Sequence, residues 1–442
     1  MKFFKKTKSL KSACLLMLML LILPLQMLAA ELGEAGKRLA ALPGVSKVEP
    51  LQSTCFPEKY VFFIKQQLDA KNPQAGQFEQ RVVLSHRGFD RPTVLVTEGY
   101  DANYALHEGY IEELSKLFNT NIITVEYRYF DQSMPSPCNW DYLTVENSLY
   151  DLHHVNEALH ALYKGKWMAT GISKGGQTTM FYRSYFPNDV DISVPYVAPL
   201  NRSVEDGRHE KFLQYEVSTP ENRRKVLDFQ LLLFKRKAAL LPMLEKYCNG
   251  KHYTFNAPLA EIYDFSVFEY AFAFWQWGSD IQKIPTREAD DLAVFKYWMS
   301  HCEPDYFSNQ NPYFSFDVQA AKELGYYGYY TKPFKRYLSI KTAKGYLHRL
   351  MLPKDAEEVN FSPVLYKHTV DFLSKNDPKM VYIYGSIDPW SASGIYGLPF
   401  TKNKQNLHVY MCPGGSHLTR ILSFPEPTRQ EIIDLIGRWL KE

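Results

Sequence analysis

The chain has 442 residues, with 51 Lys and Arg against 48 Asp and Glu and a hydrophobic content of 45%. That is longer than one ordinary domain and apolar enough for a packed core. A near-balanced charge, with no long basic block and no low-complexity tract, gives no electrostatic case for nucleic acid as a partner.

The first thirty residues read as an address rather than as part of the fold. Lys2, Lys5, Lys6, Lys8 and Lys11 form a basic head, an apolar run spans residues 13–23, and Leu28-Ala29-Ala30 follows with small residues. This is the three-part pattern of a secretory signal peptide. The run is short for a membrane span and is broken by Pro24, so no stable membrane insertion is expected after cleavage. Cys14 precedes the apolar run, which argues against a lipidated cysteine. Removing the five lysines leaves 46 basic against 48 acidic residues, and the expected location is the periplasm or the medium.

Five cysteines follow residue 30: Cys55, Cys138, Cys248, Cys302 and Cys412. Export permits disulfides, and an odd count leaves one over. The expected pairs are Cys55–Cys138 and Cys248–Cys302, with Cys412 free, although spacing does not fix connectivity. No pair has metal-finger spacing and no His-Glu-x-x-His occurs, so neither a metal nor a cofactor is expected.

Along the chain, a polar N-terminal stretch leads into alternating strand-like and helix-like segments. Residues 81–85, 93–97, 122–127, 166–170 and 190–197 read as strands; 108–118, 144–163 and 174–186 read as helices. Such alternation calls for a mostly parallel sheet covered on both faces. Residues 201–365 lose the strand rhythm, with one long helix expected over 223–247 and aromatic stretches such as Phe272-Ala273-Phe274-Trp275. Strands return at 380–384 and 407–411, before a closing helix at 429–440. The expected organisation is a signal peptide (1–30), a first core part (31–200), a mainly helical cap insertion (201–365) and a second core part (366–442).

Gly171-Ile172-Ser173-Lys174-Gly175 is the only Gly-x-Ser-x-Gly in the chain, and it lies between a strand and a helix. That context is a nucleophile elbow, the strained turn that exposes a serine above the sheet of an α/β-hydrolase. A serine hydroxyl needs a base, and in this fold the acid and then the histidine follow the serine. His417 lies in the turn after the last strand, in Pro413-Gly414-Gly415-Ser416-His417; Asp388 ends the strand before it, in Gly385-Ser386-Ile387-Asp388. Ser173, Asp388 and His417 are therefore the expected triad. Asp377 precedes its strand, at the wrong end. The expected oxyanion donors are the backbone N–H groups of Lys174 and of Tyr100, in the loop Glu98-Gly99-Tyr100. For the Lys174 side chain a surface or salt-bridge role is expected.

The segment Lys166-Trp167-Met168-Ala169-Thr170-Gly171-Ile172-Ser173-Lys174-Gly175-Gly176 resembles the nucleophile region of the secreted bacterial tripeptidyl aminopeptidases. Glu126-Tyr127-Arg128-Tyr129-Phe130, with Ser133 and Pro135, and Tyr196-Val197-Ala198-Pro199 resemble that family too. The resemblance implies a serine exopeptidase that removes short peptides, usually tripeptides, from a free N-terminus, with a preference for proline near the scissile bond. It runs through most of residues 55–205 and resumes around Asp388 and His417; the cap is not covered. An aminopeptidase must also hold an ammonium, and Glu205 and Asp206, at the start of the insertion, are the expected partners. The expected substrates are oligopeptides. An exported carboxylesterase or lipase-like hydrolase with the same triad is the alternative, and an inactive binding protein is a third reading.

Overall fold

The computed structural model describes residues 31–356 and 359–442, so the expected signal peptide lies outside the described residues. Among the described residues nine strands form one sheet: β1 (Val45–Pro50), β2 (Glu58–Gln67), β3 (Gln77–His86), β4 (Thr93–Val96), β5 (Asn121–Val125), β6 (Trp167–Ile172), β7 (Ile192–Tyr196), β8 (Met380–Gly385) and β9 (Leu407–Cys412). Their spatial order is β1-β2-β3-β5-β4-β6-β7-β8-β9. The β1–β2, β2–β3 and β3–β5 pairs are antiparallel, and every pair from β5 to β9 is parallel. This is the α/β-hydrolase fold.

The parallel strands are buried on both faces, as helical crossovers require. Leu95, Ile123, Met380 and Tyr382 join one core; their neighbours Val94, Ile122, Val381 and Ile383 join the other. The alternation follows from the two-residue period of a strand. Helices α1 (Glu34–Ala40), α2 (Glu113–Phe118), α3 (Val145–His160) and α4 (Lys174–Tyr185) accompany the first part of the sheet. Leu114 of α2 packs in the second core, while Leu149, Leu152 and Val155 of α3 pack in the first.

Two elements differ from the sequence reading of the N-terminal half. The polar stretch before residue 81 contains β1 and β2, and β2 buries Tyr60, Phe62 and Ile64 at alternate positions. The helix expected over 108–118 spans only Glu113–Phe118, because the Glu112 carboxylate caps the chain there, accepting from Leu114 N–H (2.6 Å) and Ser115 N–H (3.1 Å).

Between β7 and β8 the chain is mainly helical: α5 (Gly207–Lys211), α6 (Pro220–Lys235), α7 (Lys237–Lys251), α8 (Leu259–Gln276), α9 (Asp291–Met299) and α10 (Phe314–Gln319). The single helix expected over 223–247 is broken at Arg236, whose backbone leaves the helical region at φ −96°, ψ 11°. Its guanidinium instead bonds Ala289 O (2.7 Å) and Asp291 (3.0 Å), tying the break to the start of α9. α8 is apolar nearly all round and is buried through most of its length. Two further helices close the core: α11 (Val364–Lys375), and α12 (Thr428–Trp439), which buries Ile432, Leu435, Ile436 and Trp439.

The expected disulfides are not present: Cys55, Cys138, Cys248, Cys302 and Cys412 are all free. Cys248, Cys302 and Cys412 are buried as small apolar groups within the packing, while Cys138 is exposed.

Candidate active site

β4 is laid down first and β5 and β6 then flank it on opposite sides, so the strand order reverses beside β4. Open α/β sheets place their sites in the crevice above such a reversal. The loops after β4, β6, β8 and β9 meet here.

Ser173 sits at the β6–α4 turn with φ +58° and ψ −119°, a left-handed strained backbone for a side chain other than glycine. The glycines around it are dictated by space. A Cβ on Gly171 would fall 2.3 Å from Gly175 O, and one on Gly176 would fall 2.6 Å from Tyr196 O. Ser173 N–H donates to Tyr196 O (2.9 Å), which fastens the turn to β7.

Behind β8, Asp388 is fully buried. Its Oδ1 accepts from His417 Nδ1 (3.0 Å) and Trp390 N–H (3.2 Å); its Oδ2 accepts from Ser391 N–H (3.1 Å) and Ser391 Oγ (2.7 Å). A carboxylate cannot donate, so the proton between them belongs to Nδ1, and in the neutral ring this leaves the lone pair on His417 Nε2. His417 and Ser173 line the same cavity, of about 1210 Å³. The histidine's backbone N–H donates to Gln276 O at the end of α8 (2.9 Å), and Trp277 stands edge-on to its ring at 6.0 Å. The structure thus pairs His417 with Asp388 and places Ser173 in the wall of the same cavity, with no hydrogen bond between Ser173 and His417 among the described residues. Asp377 lies at the other end of β8, bonded to Gln405 and Asn406 N–H.

The β4 loop packs directly on the elbow: a Cβ on Gly99 would lie 2.7 Å from Lys174 Cβ. Glu98 adopts φ +43°, and burial pushes its carboxyl up to about 7. Its Oε2 accepts from Gly99 N–H (3.2 Å), and Tyr104 hydroxyl donates to its Oε1. Among the described residues, the backbone N–H groups of Lys174 and Tyr100 donate to no protein acceptor.

Two expectations about side chains are corrected. Lys174 is not on the surface. It is 2% exposed, its Nζ donates to Gly99 O, and it faces the Tyr127 ring at 3.4 Å. Burial holds its amine well below the usual lysine range. Glu205 and Asp206 do not reach the cavity. Asp206 is buried against Arg208 (2.6 Å) and accepts from the N–H groups of Arg202 and Arg208, which hold its carboxyl down to about 2. Glu205 accepts from Gly345 N–H (2.6 Å). Both acids are consumed in fixing the base of the cap.

The acid that does face the cavity from the cap is Glu269, on α8. Its carboxylate accepts from Tyr327 hydroxyl (2.9 Å to each oxygen) and Tyr329 hydroxyl (2.7 Å to Oε2). Burial pushes it up to about 7. Glu303 and Asp305 also line this lobe, but Glu303 is already engaged, by Lys251 (3.6 Å) and by Tyr253 hydroxyl (2.6 Å). No group of three or more His, Cys, Asp or Glu among the described residues is arranged to hold a metal ion.

A model of the PS-10 peptidase S37 family matches residues 31–429. A prolyl tri/tetrapeptidyl aminopeptidase of Streptomyces mobaraensis is 28% identical over 421 residues, covering 91% of this chain and 84% of that protein. A probable serine protease of Arabidopsis thaliana, EDA2, is 27% identical over 145 residues, 28% of this chain and 30% of that one. Among solved structures, a proline iminopeptidase of Mycobacterium smegmatis aligns at 12% identity with a TM-score of 0.42, covering 89% of this chain and 99% of that one.

Proposed function

We propose that this chain, which belongs to the PS-10 peptidase S37 family and is a serine peptidase, is an exported exopeptidase releasing short peptides from the free N-terminus of oligopeptides. The observation that carries the reading is the shared cavity: Ser173 and His417 stand in its wall, and the cap adds Glu269, whose carboxylate is held by two tyrosine hydroxyls and is in no salt bridge among the described residues. Its volume of about 1210 Å³ exceeds the roughly 300–1,000 Å³ of ordinary small-molecule sites, which suits several peptide residues. A carboxylate facing such a lobe is the natural partner of a terminal ammonium. The relative from Streptomyces mobaraensis, whose name specifies tri- and tetrapeptides and proline, supports release of three or four residues with a preference for proline. Residues 1–30, read as an export signal, support a periplasmic or extracellular location. No described helix is long and apolar enough to cross a membrane.

In this reading Ser173 Oγ attacks the scissile carbonyl while His417 Nε2 takes its proton. Asp388, held by Ser391 and Trp390, keeps the imidazole in the required tautomer and stabilises its charged form. The N–H groups of Lys174 and Tyr100 receive the oxyanion. Collapse of the tetrahedral intermediate expels the new amine, which takes the proton from His417. Water, activated by the same histidine, then hydrolyses the acyl-enzyme and frees the N-terminal peptide.

The test uses one proline-containing peptide with a free or an acetylated N-terminus, the mature enzyme and Ser173→Ala, with products read by mass spectrometry. Release of an N-terminal tri- or tetrapeptide from the free form alone, abolished by Ser173→Ala, is expected. Equal cleavage of both forms sinks the exopeptidase reading.

A further inference from the structure

The lysine after the nucleophile is one of the least expected side chains in the molecule. Burying an ammonium is expensive unless it is compensated, and an apolar residue of the same length would pack there without that penalty. Lys174 Nζ has one conventional acceptor, Gly99 O. The rest of its surroundings is aromatic: Tyr127 at 3.4 Å, Phe130 at 5.0 Å and Tyr100 at 5.4 Å from the ring centroids. Glu98 and Glu323 supply the nearest negative charge.

The acceptor is what gives this arrangement meaning. Gly99 C=O and Tyr100 N–H belong to one peptide unit, and in a trans peptide they point in opposite directions. The loop around that unit is otherwise pinned at Gly99 N–H, by the Glu98 carboxylate, and at Tyr100 O, which accepts from Tyr127 N–H (3.0 Å). With Gly99 O taken by Lys174, Tyr100 N–H is the one backbone group of residues 99–100 left without a protein partner. Glu98, at φ +43°, is a strained entry to this unit, and a strained turn holds its orientation only where its surroundings over-determine it.

We propose that Lys174 is a positioning residue for the oxyanion hole: its backbone N–H is one donor, and its side chain clamps and polarises the Gly99–Tyr100 peptide that supplies the other. A donor on the carbonyl withdraws electron density across the amide and strengthens the N–H at its far side, as bonded chains polarise one another in a low dielectric. The aromatic walls surround Nζ and keep water off Gly99 O. One residue thereby couples the β6 elbow to the β4 loop. The inference rests on Ser173 being the nucleophile and on the two N–H groups being the oxyanion donors.

The test compares the wild-type chain with Lys174→Met, which keeps length and apolar packing but has no donor. Losing one oxyanion donor outright lowers kcat by about 10²–10³-fold. Loosening one while leaving it in place is expected to lower kcat roughly 10- to 100-fold. KM is expected to stay within about twofold, because the ground-state carbonyl draws little on the donors. A peptidyl boronate, whose Ser173 adduct is tetrahedral, is expected to lose affinity by the same factor as kcat, while the product peptide keeps its affinity. Thermal stability is expected to hold or rise, so activity and stability move in opposite directions, which a merely structural lysine does not produce. Should Lys174→Met fail to fold, Lys174→Gln, which retains an amide donor on a shorter stem, must show the same kcat-against-KM split. An unchanged kcat, or equal losses of boronate and product affinity, overturns the proposal. Labelling by an organophosphonate, mapped to Ser173 and absent in Ser173→Ala, separates the two levels. If Ser173 is not labelled, the nucleophile assignment fails; if it is labelled and Lys174→Met retains full kcat, only the clamp fails.

Discussion

Replacing Glu269 by Gln tests how the chain recognises a peptide's end. The substitution keeps shape and can still bond Tyr327 and Tyr329, but it removes the charge. Three tyrosine contacts already occupy the carboxylate (2.9, 2.9 and 2.7 Å), so an arriving ammonium meets an acid whose geometry is fixed in advance. A hydrogen bond to a charged group is worth about 1.5–3 kcal/mol, and each 1.4 kcal/mol is tenfold. The expected loss in kcat/KM for a free N-terminal peptide is therefore about 10- to 150-fold, mostly in KM, with no loss for an acetylated peptide or a simple acyl ester. The same carboxyl is held up to about 7 by burial, so it is ionised above that pH and neutral below it. KM for the free peptide is expected to rise as pH falls through about 7, and Glu269→Gln abolishes this limb while the ester profile stays as in the wild type. Stability has the opposite sign. A raised carboxyl stabilises the folded chain below its ordinary value, near 4.5, and that contribution is lost as pH rises through about 7. Glu269→Gln is thus expected to melt higher than wild type at pH 8. Steady-state kinetics on the peptide pair, with melting curves at pH 4 and pH 8, give every number required. Equal losses on free and acetylated peptides, or none on either, refute the assignment.

Ser391→Ala removes the hydroxyl bond to Asp388 Oδ2 (2.7 Å) and is expected to lower kcat by roughly tenfold with KM unchanged, read in the same peptide assay. Asp206→Asn breaks the buried pair with Arg208 and is expected to lower unfolding free energy by about 2–4 kcal/mol in urea melts at neutral pH. Because that carboxyl is held down to about 2, the wild-type advantage is present above the ordinary aspartate value and disappears as pH falls through about 2. Discrimination between free and acetylated peptides is expected to survive this substitution; its loss brings Asp206 back to the substrate.

The parallel half of the sheet was legible because strands buried on both faces read as short apolar runs with turn residues between them. β2 is not legible in the same way: its apolar run Tyr60–Ile64 is short and flanked by Glu58, Lys59, Lys65, Gln66 and Gln67, so the stretch as a whole looks polar. That Ser173, Asp388 and His417 follow β6, β8 and β9 is legible because position after a strand is a property of the chain alone. The direction of a side chain is not. Lys174 follows a half-buried serine, and the helix turns this first residue inward, here onto the β4 loop. Asp206 and Glu205 lie near the site in sequence, but their partners Arg208 and Gly345 decide where they point, and Gly345 is 140 residues from Glu205. Glu269 sits in an apolar helix with no polar face to mark it; only the tyrosines of a distant segment, Tyr327 and Tyr329, turn it into a site. Ser391 carries a signal in the sequence, a hydroxyl three residues after a turn aspartate.

The cap is more than a cover over the cavity. The carbonyls at the end of a helix lack partners within it, and Gln276 O at the end of α8 finds one in His417 N–H. The segment beyond His417 is held from the opposite side, where Glu113 accepts from Ile421 and Leu422 N–H (3.0 Å each) and from Tyr196 hydroxyl (2.7 Å). The histidine loop is therefore suspended between the last turn of a cap helix and the first turn of a core helix, with Asp388 fixing the ring itself. A lid that served only as a size filter would be separable from hydrolysis, and its loss would widen the range of substrates. The helix that carries Glu269 is the one whose end holds His417, seven residues further along α8. In the proposed function, peptide recognition and the placement of the base therefore share one helix, and tilting α8 moves both.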